Sequence, residues 1–246
     1  MSHPVFDIGG RTALVTGSSR GIGRALAQGL TEAGCDVVIH GRDDTTAARA
    51  AAELGARHVA FDVTDPEAVE RGAAEVGPLD ILVNNAGIQH REPLLELGAA
   101  DWQRVLDTNL TSAFLVSRAF ARGMVERGSG KIVNVASLQA ELARPGIAAY
   151  AAAKGGLKML TQSMCAEWGP AGVQANAIAP GYFATDLTRA LVDDERFSEW
   201  VRGRAPAGRW GRVDELVGVL LFLASPASDY VCGQMLYVDG GMSAVV

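Results

Sequence analysis

Short apolar runs alternate along this chain with longer stretches of helical period. Residues 12–16 read Thr-Ala-Leu-Val-Thr, with no polar face, which predicts a strand covered on both sides. Residues 21–33 follow with Ile22, Leu26 and Leu30 at helical spacing, and Gly34 supplies a stop. The alternation continues. Further strands are predicted at 36–40, 57–61, 80–83, 131–135, 173–179 and 235–238. Helices are predicted at 45–54, from Asp65-Pro66 onward, and at 101–125, 148–168 and 213–224. Asp65 is placed to cap its helix, with Pro66 at the first helical position. Seven strands without a polar face, separated by helices, predict an α/β fold: a doubly wound parallel seven-stranded sheet in a three-layer α/β/α sandwich. No repeat, low-complexity tract or linker interrupts the pattern, so residues 1–246 read as a single domain. Residues 181–210, rich in Arg, Asp and Pro, lack a clear period and are expected to form a substrate-binding loop or lid. Two surface helices are the alternative for that stretch.

Composition narrows the classes. Of the 246 residues, 48% are hydrophobic and 20% charged, which excludes intrinsic disorder. A net charge of −6 gives no basic face for nucleic acid, and only local basic spots remain for an anionic ligand. The three cysteines, Cys35, Cys165 and Cys232, are far apart, and no CxxC or Cys/His spacing occurs. Neither a disulfide framework nor a metal site is expected, which suits a reducing cytoplasm. The first ten residues carry no basic segment followed by an apolar run, so no signal peptide is expected. No apolar run approaches the roughly 18 residues of a membrane span.

The chemistry starts where the first strand ends. Glycines stand at 17, 21 and 23 in Thr16-Gly17-Ser18-Ser19-Arg20-Gly21-Ile22-Gly23, between a strand and a helix. There they let backbone approach a pyrophosphate seated on the helix N-terminus. At the end of the second strand, where an acid would bind a ribose 2′-hydroxyl, the sequence reads Ile39-His40-Gly41-Arg42. Arg42, with Arg20 from the glycine turn, suits a 2′-phosphate through charge and forked hydrogen bonding. This favours NADP(H), with NAD(H) still possible. Asp43 counts against that preference unless it caps the following helix.

Together with Asp62-Val63, Asn84-Asn85-Ala86-Gly87, Asn109, Ser137, Tyr150-Ala151-Ala152-Ala153-Lys154 and Pro180-Gly181, these motifs resemble the short-chain dehydrogenases/reductases over essentially the full length. The resemblance implies a Rossmann-type fold and an NAD(P)-dependent oxidoreductase acting on CH–OH groups. A serine 13 residues before Tyr150 and both glycine motifs in order make the match specific. Tyr150 is the expected general acid/base, and a cation lowers the phenol pKa from about 10. Lys154 lies one helical turn away on the same face. Ser137 can hold the substrate oxygen. The resemblance gives Asn109 a water linking Lys154 to solvent. It assigns cofactor contacts to Ser19 and Ile22 in the glycine turn, and to Asp62 with Val63 at the adenine. Asn84, Ala86 and Gly87 are assigned beside the ribose, and Pro180, Gly181, Phe183 and Thr185 near the carboxamide and phosphates. Asn85 is as well suited to tying the central strands together.

Within that family, several segments resemble the gluconate 5-dehydrogenases: Met1-Ser2-His3-Pro4, Gly87-Ile88-Gln89-His90-Arg91, residues 141–147, residues 179–185, and Thr188 through Gly211. Members often carry arginine where this chain has His90. The residues fit a polyhydroxy acid. Arg91 and Arg144 can clamp a carboxylate, and Gln139 and Glu141 can accept or donate sugar-hydroxyl bonds. A surface ion pair is the alternative for Arg91, Glu141 and Arg144. The rival reading is a 3-oxoacyl-(acyl carrier protein) reductase, and a third is a non-catalytic nucleotide-binding protein. In relatives the faces of helices 101–125 and 148–168 pair subunits, which implies a homotetramer.

Overall fold

The computed structural model describes residues 3–185 and 188–246. Met1 and Ser2, part of the N-terminal resemblance, and Asp186 and Leu187 within the 181–210 stretch lie outside the described residues. Seven strands, β1 (Thr12–Val15), β2 (Asp36–Gly41), β3 (Arg57–Ala60), β4 (Ile81–Asn84), β5 (Gly130–Val135), β6 (Val173–Pro180) and β7 (Met235–Val238), form one sheet in the order β3-β2-β1-β4-β5-β6-β7. Every pairing is parallel. The order reverses between β1 and β4, which opens a crevice at the carboxyl ends of the central strands.

Side-chain alternation divides the core in two. Ala13, Val15, Val37, Ile39, Ile81, Val83, Val133 and Val135 face α1 (Gly21–Glu32) and α9 (Val217–Ala224). Leu14, Val38, Leu82 and Ile132 face the opposite layer, built from α3 (Pro66–Val76), α5 (Ser112–Arg127) and α6 (Ala148–Trp168). Both sheet faces are therefore apolar, and this is why the strands read as continuous hydrophobic runs. Capping follows the expected chemistry. Asp65 accepts from the Glu67 and Ala68 amides at α3. Asp43 accepts from the Thr46 amide at 2.8 Å and opens α2 (Asp44–Leu54).

Two expectations change. The helix expected at 101–125 runs from α4 (Ala99–Leu106) through a π-helical turn, Asp107–Thr111, into α5. A π turn inserts a residue without altering composition, so periodicity read it as one helix. The 181–210 stretch contains α7 (Arg189–Val192) and α8 (Glu195–Arg204), the two-helix alternative. Its Tyr182, Phe183, Thr185, Thr188 and Leu191 nevertheless line the crevice.

Candidate active site

The crevice is a cavity of about 1220 Å³ over the carboxyl ends of β1, β4, β5 and β6. Gly17, Ser19, Arg20, Gly21, Ile22 and Gly23 form one wall, and Arg42, Asp62, Val63, Ala86 and Gly87 continue it. Asn109, Ser137, Gln139, Tyr150, Lys154, Pro180, Gly181, Phe183, Thr185, Arg91 and Arg144 complete the set that the fold brings together.

Close packing makes the glycine wall fit a dinucleotide. A Cβ on Gly23 would stand 2.4 Å from Asn85 Nδ2 and 2.5 Å from the Gly17 carbonyl. Gly21 (φ +57°) has open space where a side chain would be. Arg20, the N-cap of α1, makes no side-chain capping bond, so the first-turn amides stay open to an anion. Thr16 Oγ1 accepts from the amides of Asn85 (2.9 Å) and Ala86 (3.0 Å). Asn85 Nδ2 donates to the carbonyls of Thr16 (2.9 Å) and Gly17 (3.1 Å). Asn85 thus ties the end of β4 to the glycine turn. Arg20 and Arg42 have no carboxylate within 4.0 Å among the described residues. Asp43 is engaged in capping and lies off the cavity lining. Asp62 Oδ1 accepts from the Thr64 amide and hydroxyl at 2.9 and 2.7 Å, and these bonds hold its carboxyl below the usual range.

Tyr150 and Lys154 share one face of α6, with Lys154 Nζ 5.6 Å from the Tyr150 ring centroid. Lys154 is buried and donates to the Val135 carbonyl at 2.7 Å. Burial lowers its amine to about 8. Burial raises the Tyr150 phenol above its ordinary value, partly offset by a hydrogen bond with Ser137. Ser137 caps the turn that follows β5, accepting from the Gln139 amide at 3.2 Å and bonding the Gln139 side chain. Asn109 rides on the π turn. Its Nδ2 donates to the carbonyls of Ile88 and Val105, both at 2.9 Å. Its buried Oδ1 has no hydrogen-bond partner among the described residues, which leaves an acceptor on the cavity lining.

At the outer end, Arg91 is held by Gln89 Oε1 at 2.9 Å. Arg144 stacks over the Phe197 ring, 4.8 Å from its centroid. Burial lowers the Arg91 pKa, and the positive charge of nearby Arg144 lowers it further. Phe197, Trp200 and Trp210 enclose Tyr182 at ring separations of 5.5–5.7 Å.

Two expected site residues are corrected. Asn84 shares the parity of Leu82 and points into the helical layer. Its Nδ2 donates to Ser117 Oγ and Asn134 Oδ1, both at 2.8 Å. Glu141 pairs with Lys158 on the outer surface of α6. Neither side chain lines the cavity. The sequence reading missed His40, Tyr182 and Arg104, all of which line it. It also foresaw no ligand cluster, yet the fold gathers His90, Glu92 and Asp101 with ligand atoms within 4.8 Å of one another. His90 Nε2 is already 3.1 Å from Glu92, and Asp101 pairs with Arg104, so these groups already have partners of their own.

A profile of the family described as Enoyl-(Acyl carrier protein) reductase matches residues 17–243. A gluconate 5-dehydrogenase of Gluconobacter oxydans (strain 621H) is 52% identical, over 99% of each chain. A 5-keto-D-gluconate 5-reductase of Escherichia coli (strain K12) is 46% identical, over 99% of this chain and all of its own. The crystal structure of a gluconate 5-dehydrogenase from Burkholderia cenocepacia J2315, in complex with NADP and tartrate, superposes with a TM-score of 0.96 at 52% identity, over 99% of each chain. With this fold, this glycine turn and the serine, tyrosine and lysine in one cavity, the chain belongs to the short-chain dehydrogenase/reductase family and is an oxidoreductase acting on CH–OH groups.

Proposed function

We propose that the enzyme interconverts D-gluconate and 5-keto-D-gluconate with NADP(H). One observation carries the substrate class: Arg91 and Arg144, two like charges, converge on the cavity that holds Ser137 and Tyr150. Paired guanidiniums repel unless an anion joins them, and a carboxylate does so with forked hydrogen bonds. Relatives named for gluconate and its 5-keto acid, and tartrate in the Burkholderia structure, are in keeping with a polyhydroxy acid. Arg20 and Arg42 support the 2′-phosphate form of the cofactor, and no acid ends β2 to favour a free 2′-hydroxyl.

Bound nicotinamide supplies the hydride in reduction and takes it in oxidation. Ser137 holds the substrate oxygen. Tyr150 donates its phenolic proton to that oxygen in reduction and removes it in oxidation. The Lys154 ammonium, close to the ring, favours the phenolate left behind. Asn109, through its unpaired Oδ1, is placed to hold a water for proton resupply. Gln139, beside Ser137 and 3.5 Å from the Tyr182 hydroxyl, serves the sugar hydroxyls. Residues 181–210, with α7 and α8, border the substrate end of a single domain, and the protein works in the cytoplasm as a homotetramer.

Initial rates with 5-keto-D-gluconate, using NADPH and NADH in parallel and an acetoacetyl thioester as comparison, test this reading. Fast NADPH oxidation with the keto acid alone is expected. Preference for NADH would remove the roles of Arg20 and Arg42, and turnover of the thioester alone would move the activity to acyl reduction.

A further inference from the structure

His40 is the penultimate residue of β2, its side chain buried at 2% exposure in the wall of the cavity. Its Nδ1 accepts the Gly17 amide at 3.0 Å. A backbone amide can only donate, so the proton of the neutral ring sits on Nε2, which donates to the Phe61 carbonyl at 3.0 Å. The ring packs on Phe61, centroid to centroid 4.2 Å. Around it, the His40 amide donates to Ser18 Oγ (3.0 Å) and the Ser18 amide donates to the His40 carbonyl (2.9 Å). The imidazole is therefore a crossbar. It joins the glycine turn after β1 to the turn after β3 that carries Asp62, two segments kept apart by β2.

We infer that His40 is a positioning residue for the cofactor, fixing the pyrophosphate-facing glycine turn against the Asp62 turn at the adenine end. The inference rests on the reading of the cavity as a nicotinamide dinucleotide site. The ring suits the task because it stays neutral: burial pushes its pKa to about 4, against opposing pulls from the Phe61 carbonyl and then from Asp62. Both hydrogen bonds then persist at neutral pH.

Two substitutions separate the bonds. His40→Asn puts an amide oxygen near the place of Nδ1, keeping the Gly17 acceptor and losing the Phe61 bond. His40→Gln reaches toward Phe61 and loses the Gly17 acceptor. The measurements are NADPH dissociation constants by fluorescence titration, kcat at saturating NADPH, the KM for 5-keto-D-gluconate and the melting temperature. Each variant is expected to bind NADPH about five- to tenfold more weakly, the scale of one lost hydrogen bond. In both, kcat and the keto-acid KM stay within twofold of the parent. Unchanged NADPH affinity in either folded variant, with or without a lower melting temperature, reduces His40 to a core residue and overturns the inference. A change in kcat alone overturns it as well. Failure of the unsubstituted protein to bind either NADPH or NADH would instead bring down the dinucleotide reading on which it rests, and binding of NADH alone would move the same titrations to NADH.

Discussion

Burial acts on Tyr150 in a direction that depends on which way the reaction runs. By raising the phenol pKa, it keeps the proton in place across the neutral range. On the proposed mechanism Tyr150 delivers that proton in reduction, so reductive turnover is expected to be fully present below the phenol pKa and lost as pH rises through it. Oxidation needs the phenolate and gains over the same range. Lys154, lowered to about 8 by burial, loses its ammonium as pH passes that value, which withdraws the charge that favours phenolate. The expected reductive kcat is level near neutrality and falls on the alkaline side. Tyr150→Phe is expected to lower kcat by about 10²- to 10⁴-fold while NADPH binding, followed by titration, stays near the parent value. A variant within tenfold of the parent would remove Tyr150 from proton transfer. These residue types were legible in the sequence because their spacing on one helix fixes their mutual position. Asn84 was not, because its direction depends on which parity of β4 faces the α3, α5 and α6 layer. Glu141 was not, because its partner Lys158 comes from α6, 17 residues on.

The elements that close the cavity differ in how far pattern alone described them. The seven strands and α6 were legible because apolar runs buried on both faces leave few alternatives. The π turn at Asp107–Thr111 and the packing of α8 were not, since both depend on contacts distant in sequence. In α8, Phe197 carries Arg144 on its ring face and stands edge-on to Tyr182. The same aromatic ring therefore braces a proposed carboxylate clamp and the residue next to Gln139. Phe197→Ala removes the cation–π support, an effect of about 0.5–2 kcal/mol, and leaves Arg144 to sample other rotamers. The expected outcome is a KM for 5-keto-D-gluconate raised about three- to tenfold with the NADPH KM unchanged. Steady-state kinetics with each substrate varied separately will show it. A rise in both constants would mean that α8 supports the whole cavity and not the substrate end.

At the scale of the molecule, the sheet gathers the crevice at the carboxyl ends of its strands and leaves the outer faces of its covering helices exposed. The crevice uses the carboxyl ends of β1, β4, β5 and β6, while α5 and α6 cover a sheet face with their inner surfaces. Their outer surfaces still expose Phe114 (43%), Val125 (36%) and Met159 (58%), and the chain ends in exposed Val245 and Val246. Among the described residues no helix is long and apolar enough to cross a membrane. Large apolar side chains exposed on these two helices are in keeping with the proposed association, and closed symmetry would make the contact self-complementary. Light scattering coupled to size exclusion should give about four times the 25.7 kDa chain mass. Charged substitutions on the two helices, Phe114→Glu with Met159→Glu, desolvate carboxylates wherever the helices meet, and are expected to shift the mass to dimer or monomer. A parent protein that runs as a monomer would end the proposal. A tetramer indifferent to both substitutions would move the contact away from α5 and α6, leaving the apolar C-terminal residues as the surface to change next.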